Sequence, residues 1–259
     1  MVTDIGWVGL ASSLVLIAIV VVLSTVQRLG LEGSIVWAAA RAVVQLLAVG
    51  YVLTWVIDPD RPVAIAWVWV AVMVVVAAVT IRRRAPEVPS LLLLAIVSTA
   101  ASALVSLGVI FTFQIFPMEG RTVVPLAGMM IGNSLAATVV ASRRIVHDLA
   151  DKRDEVEARL ALGQPWQEAS RPYVREALRT AMLPIIEQTK IVGLISLPGA
   201  MTGLILAGVD PVDAVKIQAA VMYLVLGSVA ATTSVIGLGL TRRLFTADHR
   251  LVRLSRTAT

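Results

Sequence analysis

Arg41 and Gln45 stand four residues apart inside a long apolar run, so a helix there carries both on one face. At 1.5 Å per residue, the Arg41 position lies about 9 Å inside a span that starts near Ile35. Glu187 and Lys190 stand three apart, at comparable depth in another apolar run, and also share a face. Charged groups are costly in hydrocarbon and normally face protein or water, so these four residues are the first candidates for a polar pathway or gate. Glu187 can pair with Arg41 or with Lys190. A purely structural ion pair, or side chains snorkelling to the interface, accounts for the same spacing. Asn133, followed by Ser134 and Thr138, and Gln218 add hydrogen-bonding groups to two further apolar runs. Asn133 and Gln218 join the candidate pathway.

Several chemistries have no residues to carry them. The chain has no cysteine, hence no disulfide framework, thiolate metal site or cysteine nucleophile. Its two histidines, His147 and His249, lie in charged stretches without a carboxylate cluster at metal-ligand spacing. Met129, Met130, Met201 and Met222 offer thioethers suited to soft metals such as Cu(I). Eight methionines in so apolar a chain need no metal to explain them, so these four remain weak candidates. No Gly-x-x-x-x-Gly-Lys-Ser/Thr phosphate loop is present, so an ATP-driven process needs another chain to bind the nucleotide. The chain itself is not expected to be an enzyme.

The elements that position these residues follow from composition. Hydrophobic residues make up 58% of the 259 and charged residues 15%, with a mean hydropathy of +0.87. An ordinary soluble domain has about 25% charged residues. The chain reads as an all-α integral membrane protein of about seven transmembrane helices, at residues 5–26, 35–57, 63–81, 91–116, 122–142, 183–208 and 215–241. Pro59 and Pro62, Pro86 and Pro89, and Pro117 separate the spans. The first span lacks a basic n-region and a small-residue cleavage site, so it is expected to be retained. If the N-terminus is outside, inner segments hold Arg28, Arg82–Arg84, the basic residues from Arg143 to Lys190, and those from Arg242 to Arg256. Only Arg61, Arg121 and Lys216 then lie outside, which predicts an outer N-terminus and a cytoplasmic C-terminus in a plasma (inner) membrane. Trp7, Trp37, Trp55, Trp67 and Trp69 fall near span ends, as an interfacial belt requires. The net charge of +5 therefore belongs to the membrane pattern and not to nucleic-acid binding.

One polar segment, about 143–182, interrupts the spans, and a tail at 242–259 closes a single domain of residues 1–259. Leu149, Val156 and Leu160 recur at helical spacing; Gly163 and Pro165 interrupt; Trp166, Ala169, Tyr173, Ala177 and Ala181 form a second stripe, with Pro172 near a helix start. Two short amphipathic helices are predicted, suited to a docking surface. In the sixth span Pro198 removes a backbone donor and Gly199 eases bending, so a bend is predicted there. Gly199 and Gly203, like Gly128 and Gly132, make G-x-x-x-G patterns that favour close helix packing.

Together the motifs resemble the FetB-type ABC transporter permeases, bacterial iron-export permeases related to the plant aluminium-tolerance permeases. The resemblance is carried by Arg41-Ala-Val-Val-Gln45 through Gly50-Tyr51, by Val124-Pro125 through Gly132-Asn133, and by Gln188-Thr-Lys190 through Leu197-Pro198-Gly199-Ala-Met201-Thr-Gly203. It continues through Ala207-Gly208-Val-Asp210-Pro211 to Gln218 and spans nearly the whole chain. It implies a homodimeric permease in the lipid bilayer with a separate ABC ATPase subunit, which would hold ATP and Mg while this chain binds no cofactor. It also implies export of iron or another metal. Glu157, Ala158 and Gly163 resemble the start of the E-A-A…G coupling loop and, on that likeness, contact the ATPase; Arg159 departs from that pattern, and the expected Leu-Pro arrives late at Leu183-Pro184. A polar organic anion such as a nucleotide sugar is the alternative substrate. An ATP-independent carrier or channel is the alternative class.

Overall fold

The computed structural model describes residues 7–246, 248 and 250–252, with side chains from Ala11 onward. His249 lies outside the described residues. The helices are α1 (Trp7–Val26), α2 (Glu32–Val56), α3 (Val63–Arg84), α4 (Leu91–Thr112), α5 (Gly120–Asp151), α6 (Arg153–Ala161), α7 (Trp166–Ile191), α8 (Gly199–Leu206) and α9 (Pro211–Leu244). Two isolated bridges, Val192–Ser196 and Phe245–Leu251, are the extent of β pairing among the described residues.

Local chemistry sets several boundaries. Pro62, Pro165 and Pro198 immediately precede α3, α7 and α8, where a residue without an N–H costs the helix nothing. Asp210 caps α9 by accepting the Val212 N–H at 2.9 Å, with Pro211 in the first turn. Helices α2, α3, α4, α5 and α9 are each long and apolar enough to cross a membrane, and Ala11–Val26 is a shorter apolar stretch. The chain is an all-α, multi-pass membrane protein.

Two boundaries depart from expectation. The predicted span at 183–208 is not one helix: α7 stops at Ile191, an irregular segment follows, and α8 begins at Gly199. Gly193, at φ +83°, turns the backbone there, and its N–H donates to the Ser196 carbonyl at 3.0 Å. The second amphipathic helix is also longer than predicted. It begins after Pro165, so Pro172 is interior and not near the start, and it runs from the polar segment straight into the apolar run.

α9 packs against α4, α5, α7 and α8, while α3 joins through α4 and α5. One buried cluster lies toward the end that bears Arg82–Arg84, Arg143 and Arg242 (the basic end), around Ile81, Leu91, Ile145, Leu149, Leu240 and Leu244. A second lies toward the opposite end, around Leu107, Ile110, Val123, Met130 and Val229. Between α4, α5 and α9 the buried polar residues are small. Ser102 Oγ donates to the Ser228 carbonyl at 2.8 Å across α4 and α9, while Ser134, Thr138, Ser142 and Thr232 bond back to carbonyls of their own helix. The closest approach is at Gly237 and Gly239: an added Cβ would press on Leu178 of α7 at the first and collide with Leu94 of α4 at the second. The predicted G-x-x-x-G packing is not seen here, because Gly132, Gly199 and Gly203 have nothing within 4 Å and Gly128 makes only ordinary contact with Met73. α1 packs on α2, and α2 touches α3 near Val56, so the pair projects as an arm from the bundle.

Candidate functional site

Three of the predicted polar positions lie near mid-height of the helix that carries them or packs beside it. Arg41 lies nine residues into α2, about 14 Å from its start. Asn133 falls midway between Arg121 and Arg143 on α5. The contact between Leu178 and Gly237 sets the level of α7 against antiparallel α9. Nine residues beyond it, Glu187 is level with about Ser228, midway between Lys216 and Arg242. All three are exposed in the single chain. Glu187 pairs with Lys190, Oε1 to Nζ at 2.7 Å, and not with Arg41. Arg41 has no ion pair among the described residues, and α2 and α7 are not among the helices in contact. Gln45 lies exposed one turn from Arg41, and Asn133 Nδ2 donates to the Met129 carbonyl of its own helix at 2.7 Å.

The break between α7 and α8 lies just beyond Lys190. Leu194 and Ile195 at its tip are 88% and 81% exposed. Pro198 takes the N-cap position of α8 and Gly199 the first turn, so the structure places both at a full interruption and not at a bend within one helix. Gln218 departs from the exposed group: it is 4% exposed in the second turn of α9, and its Oε1 has no partner among the described residues. Met201 is buried in α8, which packs on α9, and Met129 is half-buried against the second core cluster, opposite the basic end. Among the described residues no group of His, Cys, Asp or Glu could hold a metal.

A second polar assembly occupies the basic end. α5 runs on to Asp151, α6 follows, and Gly163 at φ +86° turns the chain into α7. Both predicted stripes face inward: Leu149, Val156, Ala169, Ala177 and Ala181 are buried, with Leu160, Trp166 and Tyr173 packed on the same cluster. Tyr173 Oη donates to Glu155 at 2.8 Å, and the Arg159 guanidinium lies 5.7 Å from the Tyr173 ring centroid. Hydrogen bonds from Lys152 first and Tyr173 second hold the Glu155 carboxyl below the usual range. Burial chiefly, then the bond to Glu155, pushes the Tyr173 hydroxyl up.

The tail completes this elbow. Phe245 stacks on Trp166 with centroids 5.7 Å apart, and the chain then turns back so that the Val252 N–H donates to the Leu244 carbonyl at 2.9 Å. Arg153 grips both sides: Nε meets Glu157 at 2.6 Å, and Nη2 donates to the Leu251 carbonyl at 3.0 Å. An open groove of about 750 Å³ runs between α6 and the tail, lined by Glu157, Leu160, Asp248 and Arg250 among others. Ala158 is exposed beside it, and Leu162, at the turn with Gly163, is 84% exposed.

Residues 7–245 match the family described as Uncharacterised protein family (UPF0014). The chain belongs to the UPF0014 family. Relatives include the UPF0014 membrane protein STAR2 of Oryza sativa subsp. japonica, 38% identical over 90% of this chain and 80% of its own length. The protein ALUMINUM SENSITIVE 3 of Arabidopsis thaliana is 35% identical over 89% of this chain and 84% of its own length. The probable iron export permease protein FetB of Escherichia coli (strain K12) is 31% identical over 94% of each chain. No solved structure matches.

The match covers the mid-depth polar positions and the α5–α7 part of the elbow of this UPF0014 chain, and ends at Phe245. Sequence reasoning missed Arg153 and the tail contact. The i, i+4 spacing of Arg153 and Glu157 was a visible signal for their pair, whereas nothing local points from Arg153 to Leu251, 98 residues away.

Proposed function

We propose that this UPF0014 chain is the membrane-spanning permease subunit of an ABC exporter. Two copies would form the pathway, and a separate ATPase subunit would bind ATP and Mg and dock on the elbow through Glu157, Ala158 and the turn at Gly163. The observation that carries this reading is mechanical: α7 is one helix from the elbow to Glu187 and Lys190, with the break toward α8 just beyond. α6 packs on α7, so a push on α6 would be passed sideways into α7 and along it, past the interior Pro172 and Pro184, to the mid-depth charges. Closure of an ATPase dimer could thereby switch the pathway between inward- and outward-facing states. The basic end would be cytoplasmic and the N-terminus outside, in a plasma or inner membrane.

The name of the bacterial relative supports iron or another metal as cargo. A polar organic anion is the second reading. One observation favours it: the mid-depth charges are two cations, Arg41 and Lys190, against one carboxylate, Glu187. On either reading Arg41, Gln45, Asn133, Glu187, Lys190 and Gln218 remain the proposed pathway and gate.

Gentle detergent extraction from native membranes, identification of co-purifying chains and their ATPase activity test this. An ATPase at one copy per permease supports the proposal, and stimulated hydrolysis then separates metal from anion substrates. A chain that emerges alone and transports in proteoliposomes under an ion gradient would establish the ATP-independent carrier or channel instead.

A further inference from the structure

The arm presents a problem that lipid does not solve. None of the spanning stretch of α2 is buried, and α1 covers only part of it. Apolar side chains such as Val44, Leu46 and Val49 suit lipid, but Arg41 and Gln45 lie among them at mid-depth, exposed. A guanidinium at that depth needs protein or water around it and an anion near it. On α7, which does not pack on α2, Glu187 meets the complementary condition. It is the one carboxylate at mid-depth among the described residues, it is exposed, and Lys190 occupies only its Oε1. A carboxylate accepts through both oxygens, so Oε2 remains available for a guanidinium.

We infer that a second copy of this chain covers the arm, with Arg41 of each copy meeting Glu187 of the other. The charges are opposite, both lie in apolar runs of the sequence, and the single chain keeps them on helices that do not pack against each other. A two-fold contact forms the pair twice, because what α2 of one copy does to α7 of the second is repeated in reverse. The same contact shields the apolar tip at Leu194 and Ile195, a few residues beyond Glu187. This inference rests on the two-copy reading above and adds to it the surface and the charge pair.

The absence of native cysteine makes the test direct. Two differently tagged full-length copies, one carrying Gln45→Cys and the other Gln188→Cys, are co-expressed and treated in membranes with a short thiol crosslinker. A covalent product bearing both tags is expected, and none is expected when Val76→Cys on exposed α3 replaces Gln188→Cys. In nanodiscs Arg41→Glu, which removes the pair at both places in the two-fold contact, should weaken dimerisation about a hundredfold, on the scale of tenfold for each lost pair. Glu187→Arg added to it should restore the dimer. A stable dimer with no 45–188 product and no response to Arg41→Glu overturns the inference and leaves the two-copy reading standing. A monomer at every concentration, with native charges, removes both.

Discussion

The elbow and the arm are built from the same chain but complete their packing differently. At the elbow, nearly every element is held from two sides: α6 by α7 and the tail, Trp166 by Phe245, Glu155 by Lys152 and Tyr173. On the arm, α2 makes its few bundle contacts near Val56 and leaves Arg41, Gln45 and its apolar faces open. Side-chain volume and hydrogen bonding are satisfied within the chain at the first and await surroundings at the second. The proposed machine needs that contrast: a rigid part receives force, and a face unfinished in one copy is closed by another.

The sharpest way to break this contrast is to remove one large side chain from each region. Trp166→Ala should cost about 3 kcal/mol of stability, because it deletes a stacked ring packed on the basic-end core. Trp37→Ala on α2, 67% exposed, should leave the isolated chain nearly unchanged. Thermal unfolding in detergent measures both, and equal losses would erase the distinction. Glycines give a smaller and cleaner pair. Gly239→Ala forces Leu94 aside and should cost about 1–2 kcal/mol, whereas Gly203→Ala meets open space and should gain up to about 1 kcal/mol from helix propensity.

Arg153→Ala should cost about 1 kcal/mol and free the tail from α6. Faster hydrogen exchange at the Val252 amide reads this out, and Arg153→Lys should recover only part, since an ammonium lacks the guanidinium fork. The smallest effect lies at Glu155. Its carboxyl is depressed in the fold, so its stabilising contribution is present above the ordinary carboxylate value of 4.5 and is lost as pH falls through the lowered one. Lys152→Ala should raise the Glu155 midpoint most, and Tyr173→Phe less, in a carboxyl-labelled NMR titration.

Much of the architecture was legible in the sequence because hydropathy and helical spacing are local sums. Apolar runs between prolines located the long spans, and the stripes Leu149–Val156–Leu160 and Ala169–Ala177–Ala181 named the buried faces of the elbow. The Glu187–Lys190 pair was one of two options offered, and i, i+3 proximity explains why it forms. Composition could not separate a bent span from a broken one. The run at 183–208 is apolar on both sides of Glu187–Lys190, and the break depends on Gly193 entering the left-handed region and on Pro198 capping a new helix.

The chain order of residues is therefore sufficient for the class of protein and the inward faces of the elbow helices, because each follows from neighbours within a few turns. Only the folded chain decides that Arg153 holds the Leu251 carbonyl, that Gly239 admits Leu94, that Gln218 is buried and that Arg41 has no ion-pair partner among the described residues. Those outcomes depend on which helices lie side by side. That is settled by volume and hydrogen bonding summed over segments far apart in sequence.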